Sequence, residues 1–591
     1  MRFPYGLSDF GTLIEGQYWY QDRTDRLAVL EDTGRQLIFL RPRRFGKSLL
    51  LSMLEHYYDL NRADQFKRMF GALAVGRNPT SLHNQYFILK WDFSLIPTHG
   101  EIAYIEAALH QHINDRIRQC VADYTAHWTR DIPLHPNNAL SSFESLLGAV
   151  RATPHKLYLL IDEYDNFANE VLMAARPGSQ ERYQTLLQGE GLFKTVLKTV
   201  KAAAGGLGLD RVFITGVSPI VLSDMTSGYN VGEDIFLLPQ FNDLCGFTET
   251  EVAAVLHQLA DEGGDWSTEG ALATMRTFYN GYRFSEDATE SLYNPTLSLY
   301  FLKALEQQGQ YPRRMLDENL AMDRNKLIYI AQLPQGEELL VDALSGDDRV
   351  TVPELVQRFG VADVLAAVKD QPFMASLLYF FGILTLAGEG PLAELVLRIP
   401  NLVARGLYVE RLRERWLPAG DARAANRATE PLYLRGDPTA LCDLIEAQYF
   451  RALSNRDYRW TNELLVKFAF LTLVFDDRLY MAVSELETDR GYVDLALILR
   501  PDKRQLQALD LLLEFKYLSL KELSLSGEQV REQSREALSA LAPVVKKLNE
   551  AEAQARIYGA KLKQQYGVQR LHALAVVALG VERLVWRVVN V

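Results

Sequence analysis

The sequence predicts an α/β fold class, with a helix-covered parallel sheet near the N-terminus, a helical middle region and a smaller α/β module at the C-terminus. From residue 36 to about 240, apolar runs of strand length alternate with helical patterns, which is typical of a parallel sheet. From 247 to about 450 the apolar spacing is mostly helical. From about 455 a helix, three short strands, a long polar helix and a last strand pair predict the second module.

Composition excludes several classes of protein. The 591 residues contain 48% hydrophobic and 23% charged residues, which rules out a mainly disordered chain. The formal net charge of −12 gives no support to a polybasic coat for nucleic acid or membranes. Three distant cysteines, Cys120, Cys245 and Cys442, form neither a disulfide framework nor a zinc motif. With no apolar run of membrane length, we expect a cytoplasmic protein with no membrane partner.

The order of elements also predicts domain boundaries. Strands of the first sheet are expected at 36–40, 86–93, 156–162 and 211–216, which defines a first domain of 1–245. A helical lid and linker region of 246–455 follows. Two apolar runs around a Gly-Glu-Gly-Pro turn predict a hairpin within 382–400, either the wing of a winged helix near 335–405 or a small structural sheet. The last domain is expected at 456–591.

The segment between the first predicted strand and the next helix has the residues of a phosphate-binding loop. Gly46, Lys47 and Ser48 open the helix, and Arg44 and Phe45 precede them. In a P-loop (Walker A motif) backbone N–H groups wrap phosphates, the Lys reaches the terminal phosphates and the Ser hydroxyl holds Mg²⁺. Arg41 stands where such loops usually carry their first glycine.

Acidic residues end the third predicted strand, as in a Walker B motif. Asp162 is expected to orient the water shell of Mg²⁺, and Glu163 to polarise an attacking water. After the fourth strand, Ser218 is a candidate sensor of the γ-phosphate, although an ordinary polar turn explains it equally well. Both motifs occur in the expected order, which predicts an N-terminal P-loop NTPase that binds ATP and Mg²⁺.

These motifs are similar to those of the AAA-ATPase-like domain found at the N-terminus of many bacterial and archaeal proteins. The shared segments include RPRRFGKSLL, LIDEYDNF, FITGVSPI and FYNGYRFS, and the resemblance covers roughly residues 1–300. In that family the arginine form of the loop is normal. The resemblance implies that the aromatic N-terminal segment lies near adenine and that Arg283 is a lid arginine, although a surface salt bridge is the favoured alternative for Arg283.

A second constellation lies in the C-terminal module. Asp494 falls in one predicted strand, and Glu514 and Lys516 are two apart in the next, so their side chains share a face. Carboxylates on adjacent strands can bind Mg²⁺, which lowers the pKa of a water, while a lysine offsets charge on a phosphate. The pattern predicts phosphodiester hydrolysis. The alternative is a surface salt bridge across a hairpin.

This order of residues resembles the PD-(D/E)XK nuclease superfamily, in the form often fused behind the AAA-ATPase-like domain. The resemblance spans about 455–575 and implies a restriction-endonuclease-like fold. It implies that Asp494 and Glu514 bind Mg²⁺ or Mn²⁺ and that Lys516 is catalytic. The same resemblance implies that Glu463 is the carboxylate that supports the metal site. It also implies that Gln554 is the helical amide that lies beside that site. Glu485 is a further candidate, for which a solvent-facing glutamate is the favoured alternative.

Three functional hypotheses arise from the two sites. The first is an ATP-binding and ATP-hydrolysing, metal-dependent nuclease under nucleotide control, acting on nucleic acid, with DNA favoured over RNA. The second is a nucleotide-dependent switch or scaffold that binds nucleic acid or a partner through a catalytically silent nuclease fold. The third and weaker hypothesis is a translocating motor, which would need a trans-acting arginine that the sequence does not identify. Assembly into a homo-oligomer is left open.

Overall fold

The computed structural model describes most of the chain. The described residues are 1–97, 101–166, 192–219, 231–316, 339, 343, 349–359, 370–416, 422–450, 463–483 and 493–591. Within this part of the chain, no helix combines the length and the apolar content needed to span a membrane.

The first sheet has five parallel strands, which confirms the predicted α/β architecture. In chain order they are β1 (Gln36–Leu40), β2 (Tyr86–Asp92), β3 (Lys156–Asp162), β4 (Leu209–Gly216) and β5 (Glu233–Asp234). Their order across the sheet is β2-β3-β4-β1-β5. Because all strands run the same way, their carboxyl ends meet at one edge, where ligands of open α/β sheets bind.

Helices cover this sheet because its strands are buried on both faces. Nearly every residue of β1, β3 and β4 is buried. The helices of this region are Phe10–Glu15, Arg26–Thr33, Lys47–Tyr58, Phe66–Phe70, Ala74–Arg77, Ile102–Asp123, Ala139–Val150 and Leu192–Ala204. Burial on both faces explains why the strand sequences are continuous apolar runs instead of alternating ones.

The middle region is mostly helical, as the sequence predicted. Its helices are Glu249–Asp261, Thr268–Tyr279, Pro295–Gln308, Gln371–Phe380, Leu402–Trp416, Ala422–Arg435 and Thr439–Leu444, the last continued by a π-helical turn, Ile445–Phe450. The expected hairpin is β7 (Thr385–Glu389) with β8 (Leu395–Arg398). A further strand, β6 (Arg349–Val352), pairs with β8 and gives an antiparallel sheet of order β6-β8-β7. A helix followed by a hairpin fits a winged helix, and that assignment and the domain boundaries stay predictions.

The C-terminal module is a mixed five-stranded sheet of order β13-β12-β11-β10-β9. The strands are β9 (Tyr480–Val483), β10 (Leu495–Leu499), β11 (Asp510–Leu518), β12 (Leu571–Leu579) and β13 (Arg583–Val589). Only the β11–β12 pair is parallel, and such a pair needs a crossover connection. Helix Ala542–Tyr566 supplies it and packs on both strands.

The other helices of this module precede and follow β11. They are Glu463–Val474, Leu520–Leu523, Gly527–Glu532 and Arg535–Ser539. Helix Glu463–Val474 packs on β11, with the rings of Phe470 and Phe515 4.9 Å apart. This contact fixes the start of the helix beside the strand that carries Glu514 and Lys516.

Candidate functional site

The candidate phosphate loop lies at the carboxyl edge of the first sheet. It joins β1 to helix Lys47–Tyr58, so the helix N-terminus, with its unpaired N–H groups, faces the loop. Gly46 has φ of 92° and Arg44 has φ of 67°. Glycine adopts the left-handed conformation easily, whereas an arginine is strained in it. The backbone of the loop is therefore strained at Arg44. Such a loop at a helix N-terminus is suited to bind an anion.

Lys47 is folded back onto this loop. Its ammonium donates hydrogen bonds to the carbonyl oxygens of Arg41 at 2.9 Å and Pro42 at 3.0 Å, and the residue is 5% exposed. Burial lowers the pKa of Lys47, while the carboxylates of Glu163 and Asp162 oppose that shift. An arriving phosphate would offer this buried cation a stronger partner than the two carbonyls.

Asp162 binds the hydroxyl groups that flank it. Its carboxylate accepts hydrogen bonds from Ser48 Oγ at 2.7 Å, from Thr215 Oγ1 at 2.6 Å and from the Glu163 backbone N–H at 3.0 Å. Helix Lys47–Tyr58, β3 and β4 therefore meet around one acidic group. A hydroxyl and a carboxylate in contact at this place fit a Mg²⁺ ion that keeps several waters, because both offer oxygen ligands.

Glu163 faces a cavity of about 1000 Å³ that also borders Lys47 and Ser48. Burial raises the pKa of Glu163, and the charges of Lys47 and Arg43 oppose the rise. Its own φ of 49° is another left-handed value. Strained backbone of this kind clusters at functional sites.

Aromatic side chains from the N-terminal segment line the same cavity. They are Tyr5, Trp19 and Tyr20, and residues 244–247 line the cavity beside them, with the rings of Trp19 and Phe247 5.1 Å apart. This arrangement agrees with the expectation that the aromatic segment lies near a bound base. Stacking surfaces for a planar ring and a phosphate loop thus border one space.

Ser218 has a partner inside the protein. It is buried, and its hydroxyl donates to Asp165 Oδ2 at 2.9 Å, while the backbone N–H groups of Val217 and Ser218 donate to the same carboxylate. Asp165 therefore orders the turn after β4. The predicted contact between Ser218 and a γ-phosphate stays a prediction. Asp165, missed in the sequence, is recognisable there only as a second aspartate three residues after Asp162.

Phe45 and Arg283 show how the middle region supports the loop. The Phe45 ring packs edge-on against Tyr282 at 4.9 Å and Phe284 at 5.1 Å. Arg283 lies between those two rings in sequence, but its guanidinium donates to the Glu286 carbonyl at 2.9 Å. In this structure the YNGYRF segment therefore contacts the loop through its aromatic rings, and a lid role for Arg283 stays a prediction.

Arg41 explains why this loop lacks its usual first glycine. The side chain is 1% exposed and donates to the carbonyl oxygens of Leu40, Phe236 and Phe241 at 2.6–2.8 Å. Its guanidinium also lies over the Phe284 ring, 4.1 Å from the centroid. Burial lowers the pKa of Arg41 to about 10. The arginine is thus a brace between β1 and the chain after β5.

Replacing Arg41 by glycine should therefore destabilise the protein, although it restores the usual loop pattern. The change would remove the Arg41 donor from the buried carbonyl oxygens of Leu40 and Phe236, each loss costing about 1–3 kcal/mol. We expect a loss of about 3 kcal/mol or more in the free energy of unfolding, measured by urea denaturation. Arg35→Gly is the control, since the Arg35 side chain is 73% exposed and its ion pair contributes little. Equal stability of the two variants would contradict the role of Arg41 in joining β1 to the chain after β5.

The second candidate site lies where β10 and β11 pair. In the antiparallel register Leu495 is opposite Leu513, which places Asp494 beside Glu514. The Phe515 backbone N–H donates to Asp494 Oδ2 at 2.9 Å, and the Asp494 N–H donates to Glu514 Oε1 at 3.4 Å. Two carboxylates are thereby held together at the strand pair.

Glu514 is buried, with 1% of its surface exposed. Burial, and then the neighbouring Asp494 carboxylate, raise its pKa well above the ordinary value. A buried acidic pair of this kind is unfavourable unless a proton or a cation compensates it. The donor chemistry therefore fits a hard divalent cation.

Lys516 completes the site on the same strand. Its ammonium donates to the Phe515 carbonyl at 2.7 Å and to Glu463 Oε1 at 3.2 Å. Burial opposes the charged lysine, but the carboxylates of Asp494, Glu463 and Glu514 outweigh it and raise its pKa. Lys516 is therefore a cation fixed beside two carboxylates.

Two further residues were predicted for this site, Gln554 and Glu485. Gln554 lies on the crossover helix, and its Oε1 is a buried atom without a hydrogen-bond partner in the described structure. Glu485 lies outside the described residues. Among the residues that are described, no three His, Cys, Asp or Glu side chains form a metal-binding cluster. Mg²⁺ fits a two-carboxylate site nevertheless, because it commonly keeps several waters and uses one or two protein carboxylates.

Two family models match the chain, one over each region that contains a candidate site. Residues 4–226 match a family model described as a predicted AAA-ATPase. Residues 461–587 match a model described as the PD-(D/E)XK nuclease superfamily. The two matches stand in the order that the predicted fusion requires. The first match contains the phosphate loop with Asp162 and Glu163, and the second contains Asp494, Glu514 and Lys516.

Similar proteins add little about activity. The chain is 25% identical over 474 residues to an uncharacterised protein in the vnfD 5′ region of Azotobacter chroococcum, covering 78% of this chain and 79% of the other. It is also similar to Aeropyrum pernix ORC1 solved in complex with DNA, at 12% identity, TM-score 0.26, and 69% and 98% coverage of the two chains. It is similar as well to Aeropyrum pernix ORC2 in its ADPNP–ADP complexes, at 16% identity and a TM-score of 0.28. That match covers 70% of this chain and 96% of the other.

Proposed function

We propose that this protein is a metal-dependent nuclease whose cutting of nucleic acid, DNA in preference to RNA, is controlled by ATP binding or hydrolysis. The observation that carries the proposal is the group formed by Asp494, Glu514 and Lys516. Two adjacent carboxylates and one fixed ammonium match the needs of phosphodiester hydrolysis. The match to a nuclease superfamily over the same residues supports it.

The nuclease residues divide the chemistry between them. Asp494 and Glu514 would hold Mg²⁺ or Mn²⁺, which when bound supplies a water of lowered pKa and neutralises phosphate charge. Lys516 would orient the attacking water and offset the negative charge that develops on the phosphate. Glu463 holds the lysine ammonium, and its own pKa is raised by burial. Removal of this carboxylate would free Lys516 to shift.

The N-terminal residues would bind and hydrolyse ATP. Backbone N–H groups of the loop and the Lys47 ammonium would hold the phosphates. Ser48 and Asp162 would hold Mg²⁺, which when bound would neutralise charge on the terminal phosphates. Glu163 faces the cavity and would accept a proton from the attacking water. An ATPase domain fused to a nuclease offers a means of control, because nucleotide binding can shift how domains dock.

The second candidate is a nucleotide-dependent switch or scaffold with a silent nuclease fold. One observation favours it, since Glu514 is buried and Lys516 is engaged with Glu463 and a backbone carbonyl. Metal binding and cutting separate the two candidates. The nuclease needs both, and the switch needs neither at this site.

Binding of Mn²⁺, followed by electron paramagnetic resonance, tests the assigned ligands directly. We expect Glu514→Gln to lower the affinity of the C-terminal site by about tenfold or more, because a neutral amide replaces a carboxylate ligand. Glu528→Gln is a matched control, since Glu528 is exposed on the same module. The titration is done without nucleotide and in a Ser48→Ala background, so that the N-terminal site does not contribute. Unchanged affinity in Glu514→Gln would contradict the assignment.

A further inference from the structure

One helix of the middle region begins at the nucleotide cavity. We name Pro295–Gln308 the connecting helix. Its first residues, Pro295 and Thr296, line the cavity, and the side chain of Asn294 caps it by accepting the Leu297 N–H. Thr296 Oγ1 donates a 2.8 Å hydrogen bond to the carbonyl oxygen of Arg44, in the strained part of the phosphate loop. A movement of that loop would therefore displace the first turn of the helix, or break this hydrogen bond.

The other end of the connecting helix meets the nuclease module. The helix ends at Gln308 and is capped by Gly309, and Pro312 and Arg313 follow within the next few residues. Both accept hydrogen bonds from the guanidinium of Arg500, at 2.9 Å and 3.3 Å. Nearby, the Met315 N–H donates to Asp477 Oδ2 at 3.0 Å. The segment after the helix is thus bound to the C-terminal module at two points.

Arg500 is fully buried and comes directly after β10, whose first residue is next to Asp494. Besides the two carbonyls it donates to the Asp477 carbonyl at 3.0 Å and to both oxygens of Asp502 at 3.0 Å. A buried guanidinium requires all of its donors to be satisfied. The segment after the connecting helix therefore cannot move without moving Arg500 or breaking these bonds.

The geometry links the two sites through rigid elements. The 14-residue helix is about 21 Å long, and the strand from Asp494 to Arg500 extends about 20 Å. We infer that the connecting helix and Arg500 transmit the nucleotide state of the phosphate loop to the strand that carries Asp494. Arg500 is then a positioning residue, acting on the metal site through β10. This inference rests on the proposed function and names the path of its regulation.

Softening the helix without touching either site tests this path. Glu306 and Gln307 are exposed, so replacing both by glycine weakens the last turn while removing no buried contact. The matched control replaces both by alanine, which removes the same side chains and keeps the helix. We expect the glycine pair to reduce the ATP-induced change in cutting at least twofold, with ATP affinity and nucleotide-free cutting unchanged. An equal ATP response in the two pairs would overturn the inference.

Hydrogen exchange provides a readout that does not need cutting. In the wild type, a non-hydrolysable ATP analogue should change exchange at least twofold within 309–316 and 495–503, and the change should shrink in the glycine pair only. Unchanged exchange at 495–503 would overturn the path even if ATP controls cutting by another route. Failure of the proposed function is visible separately, in a wild type that binds the analogue but never cuts.

Discussion

Lys516→Ala should abolish nearly all metal-dependent cutting, with a fall of about 10²–10³-fold in rate. The ammonium is fixed by Glu463 and by the Phe515 carbonyl, and its removal leaves Asp494 and Glu514 without the neighbouring cation. The rate is measured as initial cleavage of labelled DNA in Mg²⁺ or Mn²⁺. Binding of Mn²⁺ should persist, because both carboxylates remain.

Lys521→Ala is the matched control for that change. Lys521 is exposed on the same module, shortly after β11, so its replacement removes the same charge from the surface only. A comparable loss in both variants would show that general attraction to nucleic acid, and not a fixed catalytic cation, explains the effect. Normal cutting by Lys516→Ala would contradict the assigned role outright.

Lys47→Ala should weaken ATP binding by about 10- to 100-fold, because hydrogen bonds to charged groups contribute about 1.5–3 kcal/mol. The lysine is a buried cation at the phosphate loop, and its ammonium donates hydrogen bonds to two carbonyl oxygens. Affinity is measured with a fluorescent ATP analogue. At ATP concentrations that saturate the wild type, cutting by Lys47→Ala should no longer respond to nucleotide.

Lys67→Ala serves as the control in the same domain. Lys67 is exposed on helix Phe66–Phe70, so its removal changes net charge without touching the cavity. Wild-type ATP affinity in Lys47→Ala would contradict the nucleotide site. Weakened binding combined with an intact ATP response would instead contradict the link between that site and cutting.

The apolar runs in the sequence predicted the sheet architecture because apolar residues occupy the buried positions of strands. The apolar runs at 36–40 and 156–162 became strands buried on both faces. The two-residue spacing of Glu514 and Lys516 placed both on one face of a strand, since side chains alternate along it. The antiparallel register of the two strands places Asp494 beside Glu514. The order of the strands in the sequence already made this contact an expectation.

Other features depend on contacts distant in sequence and had no local signal. Arg41 and Arg500 look like surface arginines in the sequence, yet each is buried and bound to backbone carbonyls far along the chain. Ser218 is a candidate phosphate sensor because it follows a strand, and the hydrogen bond from its hydroxyl to Asp165 had no local signal in the sequence. The burial of Glu514 was also missed, because strand alternation says which residues share a face and not which elements cover that face.

The most direct test of the central claim is cleavage by the wild-type protein. Labelled single- and double-stranded DNA and RNA are incubated with Mg²⁺ or Mn²⁺, with and without ATP. The account predicts metal-dependent cutting, stronger on DNA than on RNA, at a rate that ATP changes. Absence of metal-dependent cutting on every substrate, in protein that binds ATP normally, would contradict the nuclease and favour the nucleotide-dependent switch.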